Sequence, residues 1–236
     1  MKTLSDENLA GTIECGLNDN WRLGNIILDR DRADQDRDYG VSMADGKLVF
    51  GVGGEGTGEF SLCGSMSVAD GEWHHVAVQR RRSDGWIWIF VDGLLDAQAD
   101  GPDGDISYPA GAVPLETCNG PCVNDPFLVI GAEKHGVDPG LLSFVGRIDE
   151  IRMSNTLRYI GGFPRPRQPF SPDLNTVALY HFDEYAGLAA FDVSGYSGGP
   201  SNGSLKIGGS PEGPQWVPSD LFLPFQYYFP YFATGP

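Results

Sequence analysis

Carboxylates are the commonest reactive side chains in this chain. It has 32 Asp and Glu against 16 Lys and Arg, with 4 His and 4 Cys, for a formal charge of −16. Cleaving a glycosidic bond takes two carboxyl groups facing one sugar, about 5–9 Å apart. On a strand, residues i and i+2 share a face, while neighbours point to opposite faces. The strand carboxylates here come as neighbours, Asp149-Glu150 and Asp183-Glu184, and are expected to point apart. That spacing argues against a hydrolase. The densest acidic run, Asp29 to Asp38, interleaves five aspartates with three arginines. It lacks the turn glycine and distal glutamate of an EF-hand loop. It reads as a solvated loop of mixed charge, with a calcium or sugar-hydroxyl site as the sharper alternative.

Other chemistry-bearing motifs lack their context. Gly195-Tyr-Ser-Gly-Gly199 has the letters of a nucleophile elbow, which needs a buried strand before it and a helix after it. Ser197 lies instead in a Gly/Ser-rich stretch. Gly51-Val-Gly-Gly-Glu-Gly56 fits a dinucleotide fingerprint, but the strand-like Thr57 to Cys63 follows where a helix would have to start. His74 and His75 lie mid-strand with no nucleophile near in sequence, and read as hydrogen-bonded structural histidines. Cys118-Asn-Gly-Pro-Cys122 can close a small disulfide ring; with too few further ligands, zinc is the weaker alternative. Cys15 and Cys63 either meet across neighbouring strands or stay as buried thiols. Disulfides would place the chain outside a reducing cytosol.

The elements that must position these groups are strands. Gly71 to Ala97 holds two apolar runs, Trp73 to Gln79 and Trp86 to Val91. Between them Arg80 to Gly85 ends in Asp-Gly, a turn signal. The second run sets Trp86, Trp88 and Phe90 on one face and Ile87, Ile89 and Val91 on the other. A strand apolar on both faces must be covered on both, so it belongs in the interior of a sheet. Further strands are expected at Thr12 to Leu17, Asn25 to Leu28, Tyr39 to Met43, Lys47 to Val52 and Thr57 to Cys63. Later ones are expected at Phe127 to Ala132, Leu142 to Met153 and Val177 to Phe182, with Gln215 to Val217 as a short last one. Asp96 to Asp125 reads as a long loop, uncommon without a purpose. Ser154 to Tyr159 reads as one helical turn, and Gly161 to Pro172 as an extended connector.

At 236 residues, with 33 Gly and 17 Pro and no long helical period, the chain fits one large β-sandwich. Its acidity repels a phosphate backbone, which excludes nucleic acid as a partner. No run reaches the about 18 apolar residues of a membrane span. The first residues lack the apolar region of a secretory signal, as in a mature or truncated frame.

Several segments carry a family resemblance. Gly-Glu-Trp-His-His-Val-Ala (71–77), the strand ending Val-Asp-Gly (91–93), Leu128 to Ala132 and Phe144 to Met153 resemble the laminin-G-like domains of the concanavalin-A-like lectin/glucanase superfamily. Val177 to Glu184 and Asp192-Val-Ser-Gly195 resemble segments of the same group. The resemblance implies an all-β, two-sheet antiparallel jelly-roll sandwich over 1–220. Residues 176–220 would complete a sheet edge, or else open a second module, and 221–236 would form an aromatic, proline-punctuated tail. The glucanase branch carries Glu-x-Asp-x-Glu on one strand, which this chain lacks. Resemblance also suggests structural calcium at Asp149, with Asp192 as its side-chain partner.

The expected function is non-catalytic: an extracellular or cell-surface recognition and adhesion module for a glycan or a glycosylated surface. Its loops, Asp29 to Asp38 and Asp100 to Tyr108, would grip the ligand. Asp103 and Asp105 would supply hydrogen bonds, and Tyr108 and Trp86 the stacking rings. The alternative is a structural subunit of a filament or surface layer, self-associating through the tail, which holds seven aromatics among residues 221–232.

Overall fold

The computed structural model describes residues 1–3, 13–31, 37–54, 56–106, 128–134, 140–208 and 213–222. Among these there is no α-helix, only a 3-10 turn at Asn20–Leu23. The strands are β1 (Lys2–Thr3), β2 (Asn25–Asp29), β3 (Asp38–Ala44), β4 (Lys47–Gly54), β5 (Gly58–Ser67), β6 (Val76–Arg80), β7 (Ile87–Val91), β8 (Leu94–Ala99), β9 (Val129–Ile130), β10 (Gly146–Arg147), β11 (Ile151–Ser154), β12 (Thr176–Tyr180), β13 (Ala189–Ala190) and β14 (Gly203–Ser204). The chain forms two compact units. One holds residues 1–148 and 154–165, the other 149–153 and 166–236.

The first unit is the sandwich. One sheet has the order β5-β4-β3-β2-β9, the other β6-β7-β8, and their ladders are antiparallel. Alternation sends Val41, Met43, Leu48, Phe50 and Val52 of the larger sheet toward Ile87, Ile89 and Val91 of the smaller in one core. As the pattern predicts, β7 lies between two partners, with Ile87 and Ile89 fully buried. Its other face is covered at Phe90, whose ring packs edge-on against Tyr159 at 5.8 Å. Tyr159 stacks on Phe163 at 3.5 Å, closing that cover.

The larger sheet is covered on its outer face too. Trp21 is 2% exposed and packs with Ile26, Ala44 and Val49. Cys63, paired in register with Val49, lies on that same face. There it forms a disulfide with Cys15, Cα–Cα 5.6 Å, which settles the open choice at these two residues in favour of pairing.

Several boundaries differ from the sequence reading. The expected loop at Asp96 begins later, because the Asp92-Gly93 turn folds β8 back onto β7 with Val91 opposite Leu94. Of Thr12 to Leu17, the described residues 13–17 contribute one bridge, Gly16 to Ser61, beside the disulfide. Leu142 to Met153 is broken between β10 and β11, with Glu150 at φ 57°. Asp149-Glu150 and Asp183-Glu184 therefore sit outside the strands, not on them. No helical turn forms at Ser154 to Tyr159. The backbone N–H groups of Arg158 and Tyr159 are instead drawn to the Gln79 side chain, at 2.6 and 2.9 Å. Gln215 to Val217 joins no ladder. The histidines precede β6 instead of lying within a strand, and His74 is hydrogen-bonded, its Nδ1 to Asp92 at 2.8 Å and its Nε2 to Asp70 at 3.0 Å.

In the second unit β12 pairs with β11, and β13 with β14. A small core gathers Ala178, Tyr180 and Ala190 with Trp216 against it.

Candidate functional site

One end of the sandwich collects three connections. The Gly85 backbone sits so close to the next segment that a Cβ there would meet the carbonyl oxygens of Gly101 and Pro102 at 2.5 and 2.7 Å. Arg80 donates to the oxygens of Pro102 and Gly104, at 2.8 and 3.0 Å. Thr57, in the turn between β4 and β5, donates its hydroxyl to the oxygen of Asp103. These bonds hold the Asp103–Asp105 loop against the turn that leads into Trp86. Asp103 is exposed, and Asp105 and Trp86 are half-buried. The backbone of the Asp103–Asp105 loop is thus held at one rim, beside the turn that ends at Gly85, the residue before Trp86. Tyr108 lies outside the described residues, as do Cys118 and Cys122.

Trp86 does not stand alone. Trp88, two residues on and so on the same face, has its ring 6.2 Å away and tilted 30°. Its Nε1 donates to Gln98 Oε1 at 3.0 Å. Arg81 holds its guanidinium 5.2 Å from the Trp88 ring. The Nε of Arg81 also grips both oxygens of Asp84, at 2.7 and 2.9 Å, which holds that carboxyl below the usual range. Trp88, Arg81 and Gln98 were missed in the sequence, although the alternation of the strand was signal enough for Trp88.

The Asp29 to Asp38 run behaves differently from its sequence reading. Its described acids face inward: Asp29 is 0% exposed, and Asp31 and Asp38 are 4%. Asp29 accepts the N–H groups of Asp31 and Lys134, at 2.7 and 3.0 Å. Asp31 takes Arg22 Nη1 at 2.8 Å. Burial, then the hydrogen-bonded Asp31 beside it, pushes the Asp38 carboxyl up to about 8. Burial pushes Asp29 up to about 6. A solvated loop would shift neither. The ends of this run are a buried anchor, so the ligand-gripping role rests on the Asp103–Asp105 loop.

With this geometry in view, the family is decided by the match of residues 17–159 to the Laminin_G_3 family of the concanavalin A-like lectin/glucanases superfamily. The chain belongs to that family. No curated protein matches the chain. A crystal structure from Bacteroides ovatus ATCC 8483, of a protein provisionally assigned to carbohydrate binding, is 19% identical with a TM-score of 0.49. It covers 81% of this chain and 53% of its own, so the present chain spans about half the length of that protein. At that identity and score the likeness adds nothing about function.

For a Laminin_G_3 chain the calcium expectation falls on Asp149 and Asp192, both in the second unit. Asp192 accepts backbone N–H groups from Leu179 and Ser194 on one oxygen and Ser201 on the other, at 3.0, 2.9 and 2.9 Å. Those bonds outweigh burial and hold its carboxyl below the usual range. Asp149 accepts the Ser219 hydroxyl, and burial holds its carboxyl above the usual range. Among the described residues no three His, Cys, Asp or Glu gather as metal ligands. The donors around Asp192 make it the organiser of its loop. Glu150 is engaged by His181 Nδ1 at 2.7 Å and by the N–H of Phe170 at 2.9 Å.

Proposed function

We propose that this Laminin_G_3 chain is a non-catalytic glycan-recognition module acting outside the cell or at its surface. The observation that carries the reading is the Asp103–Asp105 loop clamped against Arg80 and the Gly85 turn that leads into Trp86. A sugar presents a flat C–H face and hydroxyl edges. Such a ligand suits an aromatic ring flanked by carboxylates that accept hydrogen bonds. The Cys15–Cys63 disulfide suits an oxidising compartment. Among the described residues no helix is long and apolar enough to cross a membrane.

The test is a glycan array followed by calorimetry on the best hit. Trp86→Ala and the double variant Asp103→Ala/Asp105→Ala should each weaken binding about tenfold or more. Unchanged affinity in both would refute the assignment of this rim.

A second reading, a structural subunit assembled through residues 221–236, is favoured by one observation. The second unit exposes many of the chain's large apolar side chains, among them Leu188, Phe191, Ile207 and Val217, each near half-exposed or more. Size-exclusion of the chain with and without residues 221–236 decides it: tail-dependent assembly supports the reading, and equal elution volumes per mass reject it.

A further inference from the structure

We propose that the ligand surface does not end at the rim but continues along the outer face of β7 through Trp88, and that its ligand is a neutral glycan chain of at least two sugar units. This rests on the reading of the Trp86 rim as a glycan site.

Three observations lead there. First, the outer face of β6-β7-β8 is only partly covered by the chain itself. Phe90 is 1% exposed under Tyr159 and Phe163, whereas Trp88 and Trp86, further along the same face, are half-exposed. The cover is fastened at Gln79, the register partner of Trp88. Its Oε1 accepts the N–H groups of Arg158 and Tyr159, and its Nε2 donates to the Tyr159 oxygen at 2.8 Å. Beyond that clamp Trp88 and Trp86 are only partly buried among the described residues.

Second, the two indoles form one shelf. At 6.2 Å and 30° they offer more flat surface than a single pyranose ring covers. The Trp88 ring is held before any ligand arrives by Gln98 and Arg81, and the backbone at Trp86 by the Arg81 N–H on its carbonyl oxygen at 2.8 Å. A pre-set ring loses little freedom on binding. Exposed Gln98 and half-buried Arg81 and Asp84 border the shelf with the planar donors and acceptors that meet hydroxyl edges.

Third, most of the charge beside the shelf is matched, with exposed Arg82 as the outlying cation of the turn. Asp84 holds Arg81, and Arg80 gives its Nη2 to two carbonyl oxygens with Asp103 and Asp105 near it. The chain as a whole carries −16. An anionic polysaccharide would meet repulsion without an unmatched cationic patch to offset it, so uncharged sugars are selected.

The experiment titrates the whole chain with soluble neutral polysaccharides (glucan, mannan, xylan) and anionic ones (alginate, polygalacturonate), and then with mono- to tetrasaccharides of the best binder. Neutral binding should rise with length from one unit to two or three. Trp88→Ala should lower polymer affinity about tenfold and flatten that length dependence. Gln98→Arg, a change at an exposed position that lays a long side chain over the indole, should do the same in a chain whose melting temperature is unaltered. Full affinity in Trp88→Ala and Gln98→Arg, with loss only in Trp86→Ala, would confine the site to the rim and overturn the extension while leaving the glycan reading intact. Salt-sensitive preference for the anionic polymers would overturn the neutral class. Absence of binding to every polymer would overturn the extension together with the reading beneath it.

Discussion

Gly40 and Gly51 face each other across β3 and β4, and the Trp21 indole lies on the bare patch they make. A Cβ at either position would fall inside the Trp21 ring. The pair acts as a socket, and neither residue has a positive φ, so the need is for close approach and not for a turn. Gly51→Ala and Gly40→Ala should each destabilise the sandwich by about 1–3 kcal/mol or more, as overpacking does. Urea unfolding followed by tryptophan fluorescence reads this as a lower midpoint. A midpoint equal to wild type would show that Trp21 relocates freely.

The Cys15–Cys63 bond closes a loop with a sequence separation of 48 and ties the Trp21 segment to β5. Replacing both cysteines with serine should cost about 2–4 kcal/mol. Calorimetry of the oxidised protein against the double variant checks it. The same melting temperature in both would mean that Trp21 and its neighbours fasten the segment unaided.

The buried acids give a pH signature with a definite sign. Asp38 and Asp29 rise from an ordinary value of 3.8 to about 8 and about 6 in the fold. The native state therefore keeps protons that the unfolded chain releases. Stability from these groups is complete below about pH 4, falls as pH rises through 6 to 8, and levels off above that. Asp38→Asn keeps a donor toward Asp31 but cannot ionise, so its melting temperature should change less between pH 6 and 8 than that of the wild type. Parallel pH profiles for the two proteins would contradict the shared proton.

Asp192 has the opposite sign. Its lowered carboxyl stabilises the second unit above about pH 4, and that contribution is lost on acidification. Asp192→Ala removes the acceptor for three N–H groups and should cost about 2–4 kcal/mol. Hydrogen exchange at Leu179, Ser194 and Ser201 should speed up together. With the Asp192 charge met by backbone donors alone, EDTA should leave the melting of this unit unchanged; a chelator-dependent drop would assign calcium to Asp149 and Asp192.

The sandwich was legible because alternation is a local signal. Val41 and Met43, or Ile87 and Ile89, announce a buried face in a few residues. The turn glycines after Asp45 and Asp92 were equally plain. What escaped were interactions set by distant partners. Nothing near Asp38 in sequence says that Arg22 and Lys134 will gather around its loop and turn a charged run inward. Nothing near Tyr159 says that Gln79 will take up its backbone. Trp88 is the intermediate case. Its side was readable from alternation, but its partial exposure depended on where residues 154–165 happen to stop.

That stopping point hangs on one carboxamide. Gln79 acts as the boundary stone between territory the protein keeps for itself and territory it leaves to others. Exchanging it for alanine would free residues 158–163 to creep across the sheet, and the width of the landing strip would then vary without any alteration to the tryptophans that pave it.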